Sequence, residues 1–181
     1  IVSIMADFNK VLDPGDYQNG VINTVVEIPM GSTLKIEYRK ATATFEIDRV
    51  EPDIFAKPTN YGFIPQTLDE DGDELDTLIV INQRLTTGVY LKANVIGVLN
   101  FEDDGEMDHK IVCVPADDRN TGDMIKSLDD LGERWKQKIE FHFSHYKDLK
   151  KPGTTIVQGW GDIEAAKKII EESIARYNSK N

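Results

Sequence analysis

The hydrophobic pattern of this chain changes period once, at Pro115, and that change limits the folds open to it. Before Pro115, runs rich in β-branched residues read as strands over 21–28, 34–38, 42–50, 76–81, 89–101 and 108–115, the fifth broken near Gly97. After Pro115, Leu128, Leu131, Trp135, Ile139 and His142 recur at spacings of three and four. They predict a helix capped by Ser127 and running to about Tyr146. A short strand follows over 154–157, then a last helix capped by Asp162 with Ala166, Ile169, Ile170 and Ile174 inward. Residues 6–20 read as an irregular or briefly helical lead-in, 55–65 as an ordered loop packed by its own rings, and 117–123 as loop or a helical turn. Strands first, helices last and no βαβ alternation predict a mainly β (α+β) fold: a mostly antiparallel barrel or sheet with helices packed outside. The 181 residues suit a single domain, 1–181, with a sizeable core. Ile1, Val2, Ser3 and Ile4 precede Met5, are read as an expression remnant, and are left out of the functional argument.

One loop of this barrel is chemically conspicuous. In 69–76, Asp-Glu-Asp-Gly-Asp-Glu-Leu-Asp, six of eight residues are carboxylates, and the apolar strand 78–81 follows at once. Crowded carboxylates entering a core repel one another and require protons or cations. Oxygen-only donors select a hard cation: Mg²⁺, Mn²⁺ or Ca²⁺. A second cluster, Asp103, Asp104 and Asp108, stands at the next hairpin. No register gives an EF-hand, and three His with one Cys at no ligand spacing disfavour zinc. Two clusters at neighbouring strand ends predict two or more Mg²⁺ ions, an arrangement suited to phosphoryl displacement by an activated water.

A phosphate also needs donors. The candidates are Lys35, Arg49, Lys110 and Lys147, with Tyr61 and Tyr146. Lys35 shares a strand face with Glu37, and Lys110 with Asp108. Phe45, Ile47 and Arg49 share a face, so Arg49 requires an anionic partner. His109 points away from Asp108 and Lys110, His142 and His145 read as helix-packing or subunit-contact residues, and Cys113 reads as core. No glycine-rich nucleotide loop is present. The net charge of −11 disfavours nucleic acid as a partner. No stretch is long and apolar enough to span a bilayer, there is no signal-peptide pattern, and a single Cys suits a reducing compartment, so a cytoplasmic protein without a membrane partner is expected.

The stretch 71–76 resembles the Asp-Gly-Asp-x-x-Asp signature of the soluble family I inorganic pyrophosphatases. The resemblance extends in order through 26–29, 35–37, 47–49, 60–65, 97–99, 103–110 and 145–149. It implies a five-stranded OB-like antiparallel barrel with flanking helices, hydrolysing inorganic pyrophosphate to two phosphates with a water activated between several Mg²⁺ ions. By position it implies Asp71, Asp76 and Asp108 as ligands of a first metal, with Asp76 bridging to a second. It implies Asp103 and Asp108 on metal arriving with substrate, and Asp73 as the base. Glu27, Glu37 and Asp104 complete the acidic shell, and Lys35, Arg49, Tyr61, Lys110, Tyr146 and Lys147 grip the phosphates. Asp69, Glu70 and Glu74 are left as solvated rim. Lys57 stands where the family usually has Tyr, Asp104 where it usually has Glu, and Phe141 where another His is often found. Bacterial members are often hexamers, so a homo-oligomer is implied. Two rivals stand beside this reading: a non-catalytic Ca²⁺- or Mg²⁺-binding OB-type module, and a phosphatase or nucleotide pyrophosphatase.

Overall fold

Five strands close a ring in the computed structural model, which describes residues 7–181; the four residues ahead of Met5 lie outside them. In chain order the strands are β1 (Val21–Ile28), β2 (Leu34–Arg39), β3 (Thr44–Val50), β4 (Asn60–Phe63), β5 (Asp76–Ile79), β6 (Tyr90–Asp103), β7 (Glu106–Met107), β8 (Lys110–Pro115) and β9 (Thr155–Gly161). The helices are α1 (Phe8–Val11), α2 (Glu133–His145) and α3 (Ile163–Lys180). The ring runs β1-β4-β5-β8-β6 and returns to β1. It is antiparallel except between β5 and β8, which run parallel. That parallel pair sets Asp76 directly against Lys110, which proves decisive for the site. The ring with helices outside is the mainly β, OB-like barrel that the motifs implied.

β6 is the longest strand and pairs with β1, β7, β8 and β9. A register shift between Val95 and Gly97 bends it, at the break foreseen near Gly97. Alternation then sorts the wall into two apolar clusters. Ile22, Val26, Ile79, Val95, Val98, Ile111 and Cys113 fill one, closed by Ala166 and Ile170 of α3. Leu78, Ile96, Leu99, Phe101, Val112 and Val114 form the other, covered by Ile139 and Phe143 of α2 and by Tyr146 at its end. Asp76 falls on the same face as Leu78, and Lys110 on the same face as Val112, so both side chains emerge at the rim of the α2 cluster.

Three sequence expectations are corrected. The segment 55–65 is not all loop, because Asn60–Phe63 is a ring strand paired on both edges. A β-carbon at Gly62 would lie 2.1 Å from the Val25 carbonyl oxygen, so only glycine permits this approach. The helix read from Ser127 to Tyr146 is interrupted: a 3₁₀ turn spans Leu128–Leu131, and Gly132 at φ +79 separates it from α2. Ile47 is 56% exposed, so β3 carries no apolar face into the core there.

Candidate active site

The loop 69–76 is anchored at both ends before it presents any carboxylate. Leu75 is fully buried and its N–H donates to Thr67 Oγ1 (2.9 Å). The Asp69 N–H donates to the Asp73 carbonyl (2.8 Å), and Gly72 turns the chain at φ +89. The Asp73 N–H donates to Asp71 Oδ1 (3.0 Å), an Asx turn that fixes Asp71 against its neighbour.

Here the sequence assignment of Asp69 and Glu74 to a solvated rim is overturned. Asp69 is buried and accepts the His109 N–H (2.6 Å) and faces the His109 ring Nδ1 (2.9 Å). Glu74 is buried and accepts from Asn9 Nδ2 (2.9 Å). Of the three residues assigned to the rim, only Glu70 is exposed. Asp69 thereby ties the first acidic stretch to the second, one residue from Asp108.

The floor of the cleft is the parallel pair. Lys110 is buried, and its ammonium lies 2.6 Å from Asp76 Oδ2, 2.7 Å from Asp108 Oδ1 and 2.7 Å from the Tyr61 hydroxyl. The Tyr61 hydroxyl in turn donates to Asp76. Burial opposes the charge on Lys110, yet Asp108 and Asp76 hold it protonated, well above the ordinary lysine range. Burial and the charges of Asp108 and Glu27 push Asp76 well up despite Lys110; Asp108, though buried, is held low by Lys110.

The remaining wall comes from several elements. Glu27 on β1 accepts the Tyr38 N–H (2.8 Å); burial, then Glu74 and Glu37, push it up to about 8. Burial, then Asp108, raise Asp71 to about 7. Lys35 pairs with Glu37, and Arg39 reaches Glu37 at 2.9 Å. Lys147 pairs with Asp103. Burial pushes up the Tyr61 and Tyr146 hydroxyls, so both remain protonated donors.

One cleft is therefore lined by Glu27, Lys35, Glu37, Tyr61, Asp71, Asp73, Asp76, Asp103, Asp108, Lys110 and Tyr146. Arg49 and Lys147 line an adjoining groove that shares Tyr146, and Arg49 is paired with Glu51 and Asp48. Asp104 sits outside both, on the exposed tip of the β6–β7 turn at φ +51. Arg39, Glu74 and Lys57 also line the cleft and were absent from the predicted site residues. Arg39 was accessible to sequence reasoning, since it continues the period-two face of Lys35 and Glu37. His142 is buried against Tyr146 (ring centroids 5.4 Å), His145 bonds to Asp148 (2.8 Å), and Cys113 is buried core.

Among the described residues, no three carboxylate, imidazole or thiol groups converge into a ready-made cation cage. The carboxylates are turned onto lysines instead. The donor set nevertheless fits a hard divalent cation. Asp103 Oδ1 is buried without a hydrogen-bond partner, and Glu27, Asp71 and Asp76 retain protons at higher pH than ordinary carboxylates. A cation among them relieves both conditions.

The inorganic pyrophosphatase family model matches residues 24–178. The chain belongs to the family I inorganic pyrophosphatases. It is 65% identical over 97% of its length to the inorganic pyrophosphatase of Neisseria meningitidis serogroup B, covering 99% of that protein. It is 63% identical to that of Haemophilus influenzae, over 97% of this chain and 100% of the relative. The crystal structure of an inorganic pyrophosphatase from Neisseria gonorrhoeae superposes with a TM-score of 0.93 at 64% identity, covering 94% of this chain and 99% of that one. That from Thermus thermophilus gives 0.87 at 39% identity, covering 96% and 99%. Membership makes the chain an inorganic diphosphatase in a family of divalent-metal-dependent enzymes.

Proposed function

We propose that the chain hydrolyses inorganic pyrophosphate to two phosphates with Mg²⁺, Asp73 acting as the base. One observation carries this reading: the lysines at the cleft, Lys57 apart, are closed onto acidic residues, among them carboxylates that would take a divalent ion. Lys110 lies on Asp76 and Asp108, Lys147 on Asp103, and Lys35 on Glu37. With a cation held by those carboxylates, the ammonium groups would be free to donate to phosphate oxygens.

Asp71, Asp76, Asp103 and Asp108, with Glu27, would hold the ions. When bound, the divalent ions neutralise phosphate charge and acidify water. Asp73 is exposed and is the one cleft carboxylate whose oxygens bond to no other group among the described residues. It is therefore free to accept a proton from the attacking water. Lys35, Lys110, Tyr61 and Tyr146 face the cleft as donors, and Arg49 and Lys147 stand beside it. The buried Arg49 Nη2 has no partner, as suits a guanidinium kept for an anion. Charge developing on the departing phosphate meets these fixed donors.

The cleft holds about 200 Å³, below the roughly 300–1,000 Å³ of pockets that enclose larger ligands. That size favours a small substrate over a nucleotide. The same proposal takes 1–181 as one functional domain located in the cytoplasm; no helix among the described residues is long and apolar enough to cross a membrane. Exposed Ile54 and Phe141, which line one groove with Pro58, support a homo-oligomer, a hexamer if it assembles as bacterial relatives do. Phosphate release with Mg²⁺ from pyrophosphate, set against ATP and a phosphomonoester, tests the reading. Rapid release from pyrophosphate alone is expected; none from pyrophosphate overturns it.

A further inference from the structure

Lys57 differs from the other cations of the cleft. Lys35, Arg39 and Lys110 each meet a carboxylate. The Lys57 ammonium forms no ion pair and no hydrogen bond among the described residues, although it lines the same cleft. Three rings hold it instead: it lies 5.1 Å from the Tyr61 centroid, 5.6 Å from Phe143 and 4.9 Å from Tyr146. Its residue is 7% exposed. A buried ammonium without a counter-ion is costly, and ring faces offset only part of that cost.

The groups around it are all accounted for. Tyr61 faces it from β4, with its hydroxyl engaged by Asp76 and Lys110. Phe143, Tyr146 and neutral His142 face it from α2 and its end; burial, then Lys57 itself, bring His142 down to about 3. Lys110 and Lys35 repel it, and Glu51 and Asp76 attract it from a distance. Burial, then Lys110 and Lys35, bring the Lys57 ammonium down to about 7.

We propose that Lys57 is a further substrate ligand, its ring-held ammonium taking as counter-ion a phosphate oxygen of the anion bound in the cleft. This rests on the reading of the cleft as a pyrophosphate site. The cage fixes the head group in advance, so little side-chain freedom remains to be lost on binding. The arriving anion favours the ammonium over the amine, so above about pH 7 binding draws in a proton at this position. A lysine with a purely structural role would alter neither affinity nor proton uptake.

The test uses imidodiphosphate, whose bridging nitrogen resists hydrolysis, bound with Mg²⁺ to the intact chain. Calorimetry at about pH 8 in buffers of different ionisation heat counts the protons taken up. Lys57→Met is expected to take up fewer protons than the unaltered chain. It should bind imidodiphosphate more weakly by about tenfold, with a comparable rise in KM for pyrophosphate. Its metal-free Tm should be no lower, since an apolar chain replaces a buried charge. Lys57→Arg should keep most of the affinity without the extra proton, because guanidinium stays charged. Equal proton uptake and affinity within about twofold for Lys57→Met overturn the proposal; should that variant fail to fold, Lys57→Gln is judged by the same comparison. Absence of phosphate release from pyrophosphate by the unaltered chain strikes the functional reading instead, a result independent of the imidodiphosphate comparison.

Discussion

The two acidic stretches, 69–76 and 103–108, read alike as sequence and are built differently. The first is fastened from within. Asp69 and Glu74 are buried, Leu75 is core, and among the carboxylates of this stretch that line the cleft Asp73 alone is unbound. The second is a hairpin: Asp103 and Asp108 sit at its base on the cleft, while Asp104 and Gly105 form an exposed tip with positive φ. Equal acidity therefore hides unequal duties. In the first stretch two of the six carboxylates, Asp69 and Glu74, are structural, and they hold the others at fixed positions. In the second, position along the turn decides: residues at the strand ends face the site, and residues at the tip face water.

The largest effect should come from the group that joins the two stretches through the parallel strand pair. Lys110→Met removes a buried cation and leaves Asp76 and Asp108 facing each other. We expect a loss of about 3–5 kcal/mol in metal-free stability, partly recovered by Mg²⁺, which replaces the lost charge. Urea unfolding with and without Mg²⁺ measures this, and an undiminished metal-free stability would show that Lys110 is not the keystone.

A direct contrast between the stretches gives smaller effects. Asp69→Asn weakens the hold on the His109 N–H and ring, and should cost about 1–3 kcal/mol. It should also lower kcat, because Asp73 hangs on the same turn. Asp104→Asn tolerates the left-handed backbone and should change stability by less than about 0.5 kcal/mol. Similar losses for both variants in thermal unfolding would erase the difference between the two stretches.

What the sequence made legible follows the range of the forces involved. Period-two runs located most of the strands, and Asp162 marked the start of α3, because those signals are local; Ser127 caps a 3₁₀ turn instead of the helix read from it. β4 escaped, since its glycine and aromatics read as loop while pairing on both edges decides its state. The burial of Asp69 and Glu74 escaped because their partners are distant: His109 is 40 residues onward and Asn9 is 65 residues back. The cage around Lys57 draws on β4 and the end of α2, which no local window joins. The cleft lining was largely visible through the ordered motifs, whereas the lysine–carboxylate closure of its floor depends on the parallel register of β5 and β8.

In the proposed reaction Asp73 moves the proton while its neighbours hold ions and anion. Steady-state kinetics and a Mg²⁺ titration on the same Asp73→Asn preparation test it most directly. We expect a fall in kcat of about 10²- to 10⁴-fold with Mg²⁺ affinity changed only slightly. Parallel losses in turnover and in Mg²⁺ affinity would contradict it and make Asp73 one more metal ligand.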